Sequence, residues 1–160
     1  MGRYAEKTTV APEKSMDDIN RILRRYDCDA ISLTENKAQR FWKAEFVICN
    51  RMVRFQLNYP DPNAHKYRFT DKGKERTDCQ AEAAYEQDLR SSFRALYISI
   101  LSKLENVESE MFEFEHEFMA HIVDPWSKKT MAEIMTPLIA ERYENMGSDP
   151  GQLLLPGPTG

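Results

Sequence analysis

Glycine is scarce in this chain, and the sequence signatures of several enzyme classes are missing. Only 6 of the 160 residues are glycine, and neither GxxxxGK[ST] nor GxGxxG occurs, so no phosphate-binding loop is predicted. No GxSxG sequence marks a serine nucleophile. The three cysteines, Cys28, Cys49 and Cys79, are far apart and form no CxxC pair, so neither a disulfide framework nor a zinc site is indicated. We therefore expect no catalytic residue and no cofactor.

Long apolar runs are missing as well. No stretch approaches the length needed to span a bilayer, and the first residues contain no apolar export segment. We therefore expect a cytoplasmic protein that contacts no membrane. The chain has 41% hydrophobic and 30% charged residues, a composition typical of a globular domain with its own core.

Charge is unevenly distributed along the chain. Residues 1–80 contain 16 Lys and Arg against 12 Asp and Glu, a balance of +4, whereas residues 81–160 contain 6 against 14, a balance of −8. Exposed helix faces rich in Glu explain this pattern, and so does a basic first half that binds an anionic partner. The sequence leaves both explanations open.

Apolar residues recur every three or four positions between residues 80 and 122, which predicts one long helix of about 60 Å. They are Tyr85, Leu89, Phe93, Leu96, Ile100, Leu104, Val107, Met111, Phe114, Phe118 and Ile122. Residues 112–118 also fit the period of a strand. We favour a helix there, with a bend near 106–109. The helix is broken by Asp124, Pro125 and Trp126.

Two runs with the alternation of β-strands, 41–49 and 52–59, flank Asn50 and Arg51. A two-residue turn there pairs apolar residues with one another: Trp42 with Tyr59, Ala44 with Leu57, Phe46 with Phe55, and Ile48 with Val53. The alternate pairs are Lys43 with Asn58, Glu45 with Gln56, and Val47 with Arg54. We therefore predict an antiparallel hairpin whose apolar face covers the long helix.

Capping patterns predict two further helices. Ser15 with Asp18 would open an N-terminal helix, and Thr130 with Glu133 a C-terminal one. The apolar side of the C-terminal helix would carry Met131, Ile134, Met135, Leu138, Ile139 and Tyr143. Pro137 should kink the second helix, or restart it with Thr136 as cap. We also predict a short strand over 30–34, followed by a loop over 35–39. Residues 64–70 should form an edge strand or an ordered loop, and the last helix should end at Gly147.

Together these elements predict an α+β fold. An N-terminal helix and an antiparallel meander of three to four strands pack on the long helix, followed by a shorter C-terminal helix. We expect a single domain over 1–147, with a β-rich half (1–70) and a helical half (80–147). A Gly- and Pro-rich tail over 148–160 contains Leu153, Leu154 and Leu155, which would pin it to the body or to a partner.

Three sets of residues are candidates for function. Basic residues among aromatic ones form a candidate nucleic-acid surface: Arg21, Arg24, Arg25, Lys43, Arg54, Lys66 and Arg68. The distal part of the long stripe is a candidate oligomer or partner interface: Leu104, Val107, Met111, Phe114 and Phe118. The densest set of potential metal ligands has no HExxH spacing, so no metal is predicted: Glu113, Glu115, His116, Glu117 and His121.

The segments RYAEKTTVAPEKSMDDINRILRRY, RMVRFQLNYPDP, YEQDLRSSFRALYISILSKLENVES and FEFEHEFMAHIV resemble a family of small proteins encoded by bacteriophages and prophages. The resemblance extends to about Tyr143 and contains no catalytic motif. It implies the cytoplasm of a bacterial host cell, and it implies binding to host proteins or a role in DNA replication or recombination.

Three functional hypotheses follow. The first is a non-enzymatic binding protein that acts through protein–protein contacts, with inhibition of a host factor as one mode of action. Its partner would be a host protein or a second copy in a homodimer. The second is a nucleic-acid-binding accessory protein. The third is a metal-dependent enzyme that uses the cluster at 113–121, or Asp29 and Glu35. We favour the first.

Overall fold

The computed structural model describes residues 5–145, and they form the expected α+β fold. The helices are α1 (Pro12–Arg25), α2 (His65–Arg68), α3 (Asp78–Glu108), α4 (Phe114–Phe118), a 3-10 helix (Met119–His121) and α5 (Met131–Asn145). The strands β1 (Asp29–Asn36), β2 (Phe41–Ile48) and β3 (Arg51–Asn58) form an antiparallel sheet in the order β1-β2-β3. None of the described helices combines the length and apolar character needed to cross a bilayer.

The β2–β3 hairpin forms, but its register differs from the predicted one by two residues. Its turn consists of Cys49 and Asn50, both with positive φ (49° and 56°). The observed partners are Trp42 with Leu57, Ala44 with Phe55, and Phe46 with Val53. Because a shift of two residues preserves the side-chain alternation, the predicted apolar and polar faces are nevertheless correct.

The apolar face of the sheet forms the core together with α1 and α3. The buried residues of this core include Ile19, Leu23, Trp42, Ala44, Phe46, Val53, Phe55, Phe93, Ile100 and Leu104. Edge-to-face packing of Trp42 on Phe93, with ring centroids 5.7 Å apart, joins the sheet to the long helix. The sheet therefore covers α3, as the hairpin pattern predicts.

Two predicted element boundaries near the N-terminus are wrong. Helix α1 begins at Pro12 with Ala11 as its N-cap, because the fixed φ of proline suits the first helical position. Ser15 therefore lies inside the helix and is fully buried. Strand β1 is also longer than predicted and includes Glu35 and Asn36, which were assigned to a loop.

The long helix is 31 residues rather than about 43, and ends at Glu108. Beyond it, Glu110 adopts a left-handed conformation (φ 55°) and its N–H donates to the Val107 carbonyl at 3.0 Å. The Met111 N–H donates to the Asn106 carbonyl at 3.0 Å. This pair of bonds is a Schellman motif, which terminates α3 in the region where a bend was expected.

The remaining differences concern short segments. Residues 64–70 contain the short helix α2 rather than a strand, so the sheet has three strands within the described part of the chain. The capping box of Thr130 and Glu133 forms as predicted. Helix α5 continues through Pro137 without restarting at Thr136. Gly147 and the 148–160 tail lie outside the described residues.

Candidate functional site

Exposed apolar side chains concentrate in the last third of the described chain. Nine large hydrophobic residues are exposed, and eight of them lie between positions 111 and 143. They are Met111, Phe112, Met119, Trp126, Met135, Leu138, Ile139 and Tyr143; the ninth is Met52. Large exposed apolar side chains that share one region of a surface mark binding sites more often than scattered ones do.

Helix α5 carries four of these nine residues and buries none of its side chains completely. Met131, Ile134, Met135, Leu138 and Ile139 follow the 3-4 spacing of one helix face. The start of α5 is fixed by its capping box and by the Met131 N–H, which donates to the Ile122 carbonyl at 2.9 Å. Helix α5 also packs against the 3-10 helix. It is therefore anchored at its N-terminal end and has an uncovered apolar face.

A tight turn that precedes α5 in the chain displays Trp126. Val123 and Thr130 form an antiparallel bridge, and between them the Asp124 carboxylate accepts the Ser127 N–H at 2.7 Å. Hydrogen bonds from Ser127 hold the pKa of the Asp124 carboxyl below its usual range. Trp126 at the tip is 90% exposed. The turn is thus closed by its own hydrogen bonds and presents an indole ring to solvent.

The turn is fastened to the edge of the sheet. The Val123 N–H donates to the Met52 carbonyl at 2.8 Å, and Arg54 donates to the Lys128 carbonyl at 2.9 Å. An open cleft of about 570 Å³ lies between this segment and the β2–β3 turn. Its lining is mainly apolar and includes Val47, Met52, Ile122, Val123, Pro125 and Met131. We call it the edge cleft; Met131 makes it continuous with the apolar face of α5.

Most of the predicted nucleic-acid residues are engaged inside the chain. Five of the seven cations form ion pairs: Arg21 with Asp18, Lys43 and Arg54 with Glu45, Lys66 with Asp88, and Arg68 with Asp78. Arg24 donates to Asn20, and Arg25 lies over the Tyr26 ring. The seven residues belong to α1, to the outer face of the sheet and to α2. They do not form one continuous basic row.

The potential metal ligands of 113–121 point to different partners. Glu117 pairs with Lys103 at 3.1 Å, and the His121 ring stacks on Phe55 with centroids 4.0 Å apart. Burial lowers the pKa of His121, and the nearby charge of Lys103 acts in the same direction. Within residues 5–145, no group of three or more His, Cys, Asp or Glu side chains could hold a metal ion.

The predicted oligomer interface is mostly part of the core. Leu104, Phe114 and Phe118 are buried, and Val107 is partly buried against the same core. They are covered by this chain because α4 folds back beside α3 once that helix has ended. Of the predicted set, only Met111 is exposed. The distal part of the long stripe therefore does not offer the predicted apolar surface.

Sequence reasoning predicts only part of this exposed surface. The 3-4 spacing predicts the apolar side of the C-terminal helix, whereas Trp126 is predicted only as a helix breaker and Met52 as one strand residue among others. One signal was present in the sequence: Asp124 and Ser127 have the spacing of a side chain that closes a turn. Nothing local reveals that β3 would lie beside the same turn, since that contact joins residues 70 positions apart in the chain.

No family model, no curated protein and no solved structure matches this chain.

Proposed function

We propose that this chain is a non-enzymatic binding protein of phage or prophage type that acts in the bacterial cytoplasm through protein–protein contacts, with a host factor as the target that it inhibits. The observation that supports this proposal is the uncovered apolar face of α5. Met135, Leu138 and Ile139 are 37%, 42% and 49% exposed, so covering the remaining apolar surface would contribute roughly 1 kcal/mol for each.

The mode of binding follows from the shape of this surface. A helix that is fixed at its first turn and apolar along one side is one half of a helix-in-groove contact. Trp126 adds a large aromatic side chain of the kind that dominates binding energies at interfaces. The partner would cover the α5 face and reach the turn at 124–129. A second copy of this chain is the alternative occupant of the same face.

Nucleic-acid binding is less well supported by the geometry. Lys43 and Arg54 are held by the partly buried Glu45, and the other predicted cations lie on α1 and α2. The positions are therefore not lined up for the several phosphate contacts that salt-sensitive binding needs. A titration with single- and double-stranded oligonucleotides across a salt series tests this hypothesis. Tight, salt-sensitive binding that disappears with Lys66→Ala/Arg68→Ala would favour nucleic acid over a protein partner.

Affinity capture from a bacterial lysate tests the main proposal. Three forms of the full chain are compared: wild type, Leu138→Lys/Ile139→Lys, and Ala140→Lys. Ala140 is exposed on the opposite side of α5, so its variant is a matched control for the added charge. We expect one partner in stoichiometric amount with wild type and control, and none with the double variant. Equal capture by all three forms would contradict the proposal.

Light scattering of the same three forms distinguishes a foreign partner from self-association. A foreign partner predicts the mass of a single chain for every form. A homodimer through α5 predicts twice that mass for wild type and Ala140→Lys, and the single-chain mass for the double variant. A dimer that survives Leu138→Lys/Ile139→Lys would show that the α5 face is not the interface.

A further inference from the structure

The edge cleft differs in charge from the chain as a whole. The sequence has a net charge of −4, yet the cations beside the cleft are Arg51 and Lys128, with Lys129 next in the chain. No carboxylate of the described residues lies within 4.0 Å of the Lys128 or Lys129 ammonium groups. Lys128, in the lining, and Lys129, next to it in the chain, therefore form no ion pair within this part of the chain.

The carboxylates near the cleft offset only part of this positive charge. Asp124, in the lining, offsets one of the three cations, and its carboxylate also accepts the Ser127 N–H within the turn. Glu115 approaches Arg51 at 3.6 Å, but both side chains are half exposed, and such surface pairs are worth less than about 1 kcal/mol. A carboxylate from another molecule can replace Glu115 at little cost. The edge of the cleft is thus suited to an anionic ligand.

Helix α5 also combines an apolar surface with a positive charge. Arg142 lies one turn beyond Leu138 and seven residues after Met135, which places it on the apolar face of the helix. It is exposed. An arginine within an apolar face can form a paired hydrogen bond to a carboxylate when a partner covers that face. Cations therefore flank the apolar surface at both ends, at the cleft and near the end of α5.

We propose that the edge cleft and the adjoining face of α5 bind an acidic segment of a partner protein, one that inserts an apolar side chain between Met52 and Met131 and directs its carboxylates at Arg51 and Lys128. Trp126 closes one side of this site by packing on the same segment. This inference rests on the proposed function and names the chemistry of the partner: apolar anchors combined with Asp or Glu.

Selection from a random peptide library displayed on beads, with the full-length chain as bait, tests this assignment. We expect the enriched peptides to combine Leu, Ile, Phe or Trp with Asp or Glu. A labelled copy of the most enriched peptide should bind at least tenfold more weakly to Arg51→Glu/Lys128→Glu. It should bind normally to Lys72→Glu/Lys74→Glu, which reverses two exposed lysines outside the site. Circular dichroism verifies that both variants fold.

Tryptophan fluorescence supplies an independent readout. The chain has two tryptophans; Trp126 is 90% exposed, whereas Trp42 is 2% exposed in the core. A peptide bound in the edge cleft should shift the emission and protect it from iodide quenching, and Trp126→Phe should remove both changes. Binding without any change at Trp126 would overturn the assigned location.

Three further results would overturn the inference. They are the absence of any enriched peptide, enrichment of basic peptides, and equal weakening by the two charge-reversal variants. Peptides that lose binding only to Leu138→Lys/Ile139→Lys would refute the cleft assignment and leave the proposed function intact. A single-stranded oligonucleotide that quenches Trp126 and displaces the peptide would assign the site to nucleic acid instead.

Discussion

At the scale of single residues, Ser15 distinguishes the observed start of α1 from the one that capping patterns predict. Its hydroxyl is fully buried and has no hydrogen-bond partner among the described residues. Ser15→Ala removes this unsatisfied group and improves helix propensity, so we expect the free energy of unfolding to rise by about 0.5–1 kcal/mol. Urea denaturation measures the change. A loss of about 1 kcal/mol would instead indicate that Ser15 caps the helix.

Asp88 is the residue on which the attachment of α2 to α3 depends. It accepts hydrogen bonds from the Lys66 ammonium at 2.6 Å and from the Tyr67 hydroxyl. Burial acts to raise the pKa of Asp88, but the bonds from Lys66 and Tyr67 outweigh it and the pKa is lowered. Asp88→Asn should therefore cost about 2 kcal/mol of unfolding free energy near neutral pH.

The pH dependence of this loss provides the check. A carboxyl whose pKa is lower in the folded state stabilises the fold at pH values above its unfolded pKa of 3.8, and this contribution disappears as pH falls through the folded value. The difference between wild type and Asp88→Asn should accordingly shrink toward pH 2. The control is Glu86→Gln, which alters an exposed pair with Arg90 and should change stability by less than about 0.5 kcal/mol.

At the scale of elements, the end of α3 is the largest difference between sequence expectation and structure. The apolar spacing continues from 85 to 122 because Phe114 and Phe118 of α4, and Ile122 after the 3-10 helix, add core residues at compatible intervals. Periodicity reports which residues are buried, and it does not report whether one helix carries them all. The usual stop signal, a glycine, is replaced by Glu110 in a left-handed conformation, which sequence reasoning does not anticipate.

A substitution at Glu110 tests whether α3 ends at Glu108 or one helix continues to residue 122. Glu110→Gly relieves a positive φ in the observed structure, so we expect stabilisation by about 0.5–1 kcal/mol. If one helix ran to 122, glycine in its interior would destabilise the protein by about 1 kcal/mol. Ser102→Gly, at an exposed position inside α3, is the control and should lower stability by roughly 0.5 kcal/mol. Thermal or urea unfolding measures the stability of wild type and of both variants.

The β2–β3 hairpin shows what strand patterns determine and what they leave open. Alternation assigned every core-facing residue of the two strands correctly, because a side chain on the wrong face would expose apolar surface. The register was wrong by two, since that shift keeps the same faces and only the turn decides between the alternatives. Phe46 and Phe55, a direct pair in the predicted register, are diagonal neighbours in the observed one and still stack with ring centroids 6.2 Å apart, so the core is similar in either register.

At the scale of the whole molecule, the fold class was predictable and the candidate site only in part. The apolar side of α5 follows from its 3-4 spacing, whereas its exposure does not. The α+β class follows from patterns within 10 to 40 consecutive residues. The binding surface depends on contacts between distant segments: β3 with 122–123, and Arg54 with the Lys128 carbonyl. The same distant contacts explain why the predicted interface is buried, since α4 returns to the core and covers Leu104 from within the chain.

The most direct test of the account is hydrogen exchange of the full chain, free and in complex with the partner recovered by affinity capture. In the free protein, amides of 134–145 should exchange faster than those of α3, because α5 is held only at its first turn. In the complex, we expect strong protection across α5 and at 122–130, with little change in α1 or β1. Protection located on α1 or β1, with α5 unchanged, would contradict the claim that the apolar face of α5 is the binding surface.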